Sequence, residues 1–150
     1  MKTILHFLVM TWKFKEKQIL SLEDMPEETY GFIYKISNKL TGQYYIGKKQ
    51  VVSIRKKNFG KKKLATITDK RVKKYEIVSK ESDWKTYRSS NSEVKLWNEN
   101  EVELEILRFC KSKKSLTYYE LQEQFYHNVL ADEKSLNDNL IGKFFRKDLL

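Results

Sequence analysis

Two short runs, Gly31 to Ile36 (GFIYKI) and Tyr44 to Lys49 (YYIGKK), flank the segment Ser37 to Gln43. Both runs are rich in aromatic and β-branched residues, and the segment between them holds Asn38 and Gly42, which accept positive φ. That pattern predicts a β-hairpin with strands over roughly 31–37 and 43–47. A turn centred between Lys39 and Leu40 sets Tyr34 opposite Tyr45 and places both phenols on one face. Tyr44 then points to the other face, and a slip of one residue would exchange it with Tyr45.

The chain has 150 residues, which is one domain by length and enough for a core without covalent staples. One cysteine, Cys110, cannot form an internal disulfide or a cysteine-based zinc site, so a reducing compartment is expected. Only two histidines, His6 and His127, are present, which argues against a histidine base set beside histidine metal ligands. The formal charge of +10 is unevenly spread: −1 over 1–34, +13 over 35–88 and −2 over 89–150. A basic stretch interleaved with Tyr75, Trp84 and Tyr87 points to a polyanion. Nucleic acid is favoured over a membrane, because no long apolar span or lipidation motif accompanies the charge. The N-terminal run MKTILHFLVMTW is too short to span a bilayer, lacks a small-residue cleavage site, and reads as an extra strand or a loosely packed extension.

Further along, residues 48–80 lack apolar periodicity and read as a basic loop or insert with one short helix after Lys48. Glu101 to Cys110 alternates at Val102, Leu104 and Ile106, as a third strand does. Ser115 to Leu130 repeats Leu116, Tyr119, Glu123, Tyr126 and Leu130 at three- and four-residue steps, an amphipathic helix with Ser115 as N-cap.

The tripeptides around Tyr34 and Tyr45, Gly47, and the later blocks ESDWKTYRSS, ELEILRFC, LTYYELQEQF and LNDNLIGKFFRKD together resemble the GIY-YIG nuclease superfamily, in its small bacteriophage members. The resemblance covers roughly residues 30 to 148. It implies an α/β (α+β) domain over 30–150, with a three-stranded antiparallel sheet flanked by helices, a basic insert at about 48–80, and an N-terminal extension over 1–29. It implies DNA endonuclease activity with one divalent ion, Mg²⁺ or Mn²⁺, a bacteriophage origin and action in the host cytoplasm. No second module is expected after the core, unlike in many homing enzymes of the superfamily.

Carried over residue by residue, Tyr34 becomes the general base or water-positioning group, and Tyr45 holds the phosphate or the water. A phenol titrates near pH ~10, so a base role needs nearby positive charge. Arg55, eight residues after Gly47, falls where the superfamily carries its catalytic arginine on the first helix; Phe59 stands where a histidine or tyrosine is common, and Lys49, Arg71 or Arg88 could supply the charge instead. Glu120 matches the metal-binding glutamate, with Glu123 its nearest rival, and one carboxylate with phosphate oxygens and waters suits Mg²⁺. Asn137, or else Asn139, matches the asparagine that closes the site. The expected nucleic-acid contacts are Lys48, Lys49, Lys56, Lys57, Lys61, Lys62, Lys63, Arg71, Ser89 and Ser90, with Trp84 read as core. The expected partner is DNA, with branched and single-stranded forms included. A binder without turnover on the same fold is the alternative, and a structural protein with an incidental basic stretch is a third reading.

Overall fold

The computed structural model describes residues 10–149; the N-terminal run before Met10, His6 included, lies outside the described residues. Its centre is a five-stranded sheet. In chain order the strands are β1 (Trp12–Phe14), β2 (Lys17–Ile19), β3 (Gly31–Asn38), β4 (Tyr44–Gln50) and, after the insert, β7 (Val102–Cys110). Their spatial order is β2-β1-β7-β3-β4. The expected antiparallel trio β4-β3-β7 is present, but residues 12–19 of the assigned extension add two strands, and β1 runs parallel to β7. Trp12 explains why that segment stays: its ring is buried against Phe32 and Tyr34, and its indole N–H donates to the Trp84 carbonyl at 2.8 Å.

The hairpin register differs from the expected one by two residues. Tyr34 pairs with Gly47, and Ile36 pairs with Tyr45. Asn38 sets this: its side-chain oxygen accepts from the Leu40 and Thr41 amides, its backbone N–H bonds Gln43, and Gly42 closes the loop at φ 78°. A shift of two preserves the alternation of faces, so Tyr34 and Tyr45 remain on one side.

Each face of the sheet has its own core. Trp12, Phe32, Tyr34, Ile36, Leu104 and Ile106 pack beneath Trp84 and Val94. On the other face, Ile33, Ile46, Tyr44 and Cys110 lie against Leu116 of the main helix and against Val129 and Leu130. A bulge opposite Ile33 and Tyr34, at Leu107, flips the end of β7 so that Cys110 joins the second core.

The insert is not a loop. Strands β5 (Val52–Asn58) and β6 (Tyr75–Glu81) form a separate two-stranded ribbon, with a short helix α1 (Lys61–Thr66) near its tip. The apolar periodicity fails because every residue of the ribbon except Val52, Tyr75 and Val78 is exposed. The main helix α2 runs Lys113–Tyr126, with Ser112 rather than Ser115 as its cap; the Ser112 hydroxyl accepts from the Ser115 amide, and Ser115 bonds back. Its buried side chains are Leu116 and Gln124, so the inward stripe is 116–120–124, and Tyr126 is exposed. A two-stranded pair, β8 (Asn139–Leu140) and β9 (Phe144–Phe145), and a 3-10 turn over Arg146–Leu149 complete the described chain.

Truncation of Trp12 to alanine should cost about 3–5 kcal/mol, the usual range for a buried aromatic. Urea unfolding followed by circular dichroism measures it. A loss below about 1 kcal/mol would mean that β1 and β2 are appended to the fold rather than integral to it.

Candidate active site

The site forms at the free edge of β4, where unpaired peptide groups must find partners. Tyr44 accepts from the Leu136 amide and donates to the Lys134 carbonyl. Ile46 is held by side chains: the Asn137 carboxamide accepts from its N–H at 3.0 Å and donates to its carbonyl at 2.8 Å. Gln124 donates to that carbonyl as well, at 3.1 Å. Asn137 therefore serves as a substitute strand residue, and it holds the backbone between the two signature residues Tyr45 and Gly47. The guanidinium of Arg146 fixes the Asn137 loop, donating to the carbonyls of Val129, Asp132, Ser135 and Asn137 at 2.8–3.0 Å.

Gly47 is there because of Tyr34. A Cβ at position 47 would stand 2.5 Å from the Tyr34 hydroxyl and 2.9 Å from the Tyr45 ring. The glycine lies mid-strand, so its role is this close approach, not the tight turn a strand-end glycine suggests. Tyr34 lies between Tyr45 and Tyr87, with centroids 6.3 and 5.9 Å away. Burial first, then the neighbouring Tyr87 and Tyr45 phenols and the Glu120 carboxylate, push its ionisation far above the ordinary tyrosine range. Burial likewise raises Tyr45. Tyr44, on the opposite face, donates to Asp132 at 2.6 Å and is a packing residue.

Next to this cluster opens a polar pocket of about 410 Å³, lined by Tyr45, Ser90, Asn91, Ser92, Glu120, Gln124, Leu136, Asn137, Asp138, Asn139 and Ile141. Glu120 reaches it because it sits on the inward stripe of α2. Burial pushes its carboxyl above the usual carboxylate range, and the Lys48 ammonium, 3.8 Å away, pulls in the opposite direction. Glu123, one turn from that stripe, is turned to His127 at 3.7 Å and does not line the pocket. Among the described residues no group of three or more His, Cys, Asp or Glu gathers, so a protein cage for a metal is absent there. The donor set suits a different ion. One partly desolvated carboxylate amid hydroxyl, carboxamide and carboxylate oxygens fits a hard divalent cation that keeps much of its water.

Other sequence-derived residues fall elsewhere. Arg55 lies on β5, paired with Val78 and exposed, rather than on a helix; the strand-forming run Val52 to Asn58 replaces the expected helix. Lys56, Lys57, Lys61, Lys62, Lys63 and Arg71 are on the same ribbon or its tip, outside the pocket. Lys48 and Lys49 stay close: Lys48 also bonds the Thr117 hydroxyl, while Lys49 pairs with Asp83 at 2.6 Å and lies over the Tyr87 ring. Arg88 is bound to Glu99 and to backbone carbonyls. Ser90 meets the Tyr45 hydroxyl at 3.5 Å, whereas Ser89 is buried at φ 79° and caps the Asn91 amide. Trp84 is core, as expected. Asp138 and Tyr87 were not foreseen as site residues. The run LNDNL gives Asp138 the look of a turn residue, and only the fold brings it into one pocket with Glu120.

A family profile described as "Putative endonuclease segE, GIY-YIG domain" matches residues 12–145. The chain belongs to this GIY-YIG endonuclease family. The match begins at Trp12, the first residue of β1, so the segEtype domain takes in the two N-terminal strands. Comparison with curated proteins and with solved structures finds no match. Membership carries a nuclease function and a nucleic-acid substrate for this GIY-YIG domain.

Two outcomes follow from the packing. Gly47→Ala should cost about 1–3 kcal/mol, as overpacking does. Adding Tyr34→Phe should return part of that, since the hydroxyl is the nearest clash; strict additivity in a double-mutant cycle by urea unfolding would contradict the contact. Glu120→Gln should stabilise the metal-free protein at neutral pH. Below about pH 4.5 this carboxyl is protonated folded or unfolded; above it, the unfolded chain ionises freely while burial resists ionisation of the folded state. The gain should therefore grow as pH rises through the raised folded value and vanish at low pH. A variant less stable than wild type at pH 7 would show that Lys48 outweighs burial.

Proposed function

We propose that the protein is a divalent-metal-dependent DNA endonuclease of bacteriophage origin, acting in the host cytoplasm. The observation that carries the reading is the convergence of Tyr45, Ser90 and Glu120 on one polar pocket beside the buried Tyr34, with Lys48 at its edge. Cys110, buried and free, agrees with a reducing compartment.

Hydrolysis requires an aimed water, a neutralised phosphate and a supported leaving oxygen. Lys48 and Lys49, two cations following Gly47 on β4, attract the phosphate in place of Arg55. Tyr45, at the pocket wall, and Ser90 hold a phosphate oxygen or the water. Tyr34 enters as a neutral phenol that orients this group, because everything around it opposes ionisation. Glu120 would hold the divalent ion, with Asp138 facing the same space. Such an ion, Mg²⁺ or Mn²⁺, supplies charge neutralisation at the phosphate and support for the leaving oxygen. Asn137, bound to both peptide groups of Ile46, positions the strand from within the pocket lining.

The competing reading, a binder without turnover, draws on one observation: among the described residues no arginine lines the pocket. Cleavage of supercoiled plasmid with Mg²⁺, absent with EDTA, decides for the enzyme. Tyr34→Phe should then lower the rate by about 10²-fold, the scale on which misplacing a reacting group costs, with the fold intact. Glu120→Ala should abolish cleavage while duplex affinity stays equal or rises slightly, since a carboxylate repels the polyanion. Wild-type-like cleavage by a folded Tyr34→Phe protein would remove Tyr34 from the mechanism.

A further inference from the structure

The β5–β6 ribbon is the largest feature that the pocket leaves unused. From Val52 to Glu81 it carries eleven Lys/Arg against three Asp/Glu, +8 of the chain's +10. It forms its own sheet, separate from the central one. Its base is closed by the Ser82 amide donating to the Val51 carbonyl at 2.9 Å and by the Ser82 hydroxyl donating to Gln50.

The register gives the ribbon two unlike faces, because directly paired residues share a side. One face holds Val52, Ile54, Lys56 and Asn58 with Glu81, Ser79, Ile77 and Tyr75; the other holds Ser53, Arg55 and Lys57 with Lys80, Val78 and Glu76. Ile54 and Ile77 are 55% and 63% exposed, with no core to cover them. Lys56 lies over the Tyr75 ring at 4.5 Å, on that same face. An apolar strip with Lys56, Asn58 and Ser79 along it thus backs onto a face of long cationic side chains, with Lys61, Lys62, Lys63, Lys70, Arg71, Lys73 and Lys74 around the tip.

We propose that this ribbon enters the major groove of duplex DNA, its Ile54–Ile77–Tyr75 face toward the base edges and its Arg55, Lys57 and Lys80 side chains reaching the flanking phosphates. This deepens the nuclease reading by naming how the duplex is held, and rests on that reading for the identity of the partner. The major groove, about 12 Å wide, admits a two-stranded ribbon, whereas the minor groove at about 6 Å does not. Seven residues at about 3.3 Å each span about 23 Å, or about seven base pairs. Thymine methyls offer the isoleucines an apolar surface, and Lys and Asn carry the hydrogen-bonding chemistry that reads guanine and adenine edges. A second copy is a poor occupant, because two arms of this charge repel one another.

The test replaces Val52 to Glu81 with a two-residue Gly-Gly link, which the Val51–Ser82 closure accommodates, and checks the fold by circular dichroism and melting. Binding to a 20-base-pair duplex and to the matching single strand is measured by fluorescence anisotropy in EDTA over a range of salt. Guanine-N7 methylation by dimethyl sulfate reports on the major groove, and adenine-N3 methylation on the minor. The full chain is expected to protect guanine N7; the arm-deleted protein should lose that protection, bind the duplex at least 10-fold more weakly, and show a log–log salt slope smaller by about 3, for three lost phosphate contacts at about 0.9 each. In the full chain, Ile54→Ser with Ile77→Ser should weaken guanine protection and leave the slope unchanged. Protection confined to adenine N3, or equal loss of affinity for duplex and single strand, overturns the proposal. These readings need no cleavage, so a full chain that protects guanine N7 but never cuts DNA sinks the nuclease reading and keeps the arm. One that cuts DNA, with or without its arm, at equal affinity does the reverse.

Discussion

A sheet edge cannot be left with bare peptide groups in a half-dry place, and in this protein the edge that needs covering is the one carrying the signature residues. The carboxamide of Asn137 solves this by presenting one acceptor and one donor to Ile46, as a neighbouring strand would. Tyr45 and Gly47, on either side, inherit fixed positions. The Tyr34 ring then fills the space the glycine leaves, Tyr87 closes on it, and the pocket takes its wall from what remains of Tyr45. Gln124 reinforces the same carbonyl from α2, and this places Glu120, one turn earlier on the same stripe, over the pocket.

Electrostatically the site is arranged against its own charges. The phenols are kept neutral by burial, and Glu120 is kept uneasy by it, with only the partly exposed Lys48 as compensation. Buried carboxyls perturbed in this way gather at functional sites. Most of the chain's positive charge is carried elsewhere, on a ribbon with little core of its own. The pocket and the ribbon are separate features of the fold, so each can be altered with little cost to the other.

Much of this was legible in the sequence, for identifiable reasons. The hairpin, the strand at Val102 to Cys110 and the helix around Glu120 follow from alternation and helical spacing, which are local properties. The shared face of Tyr34 and Tyr45 survived a register error because an even shift preserves parity. Three features were hidden. Trp12 looked like part of an extension because its partners, Phe32 and Trp84, are distant in sequence. The ribbon looked like a loop because exposure on both faces erases the alternation by which strands are recognised. Arg55 was assigned by spacing alone, and spacing carries no information when the element beneath it changes from helix to strand.

The separation of partners along the chain has a temporal consequence. The hairpin joins residues at most 19 positions apart, from Gly31 to Gln50, and can form as soon as it is made. Ile46, however, waits 91 positions for Asn137, and the loop bearing Asn137 waits a further nine for the guanidinium of Arg146. In vectorial synthesis the basic ribbon and its strands therefore precede the pocket. On the proposed reading of ribbon and pocket, a nascent chain would hold nucleic acid before it could cut it, with competence arriving only when the closing segment folds back onto the edge.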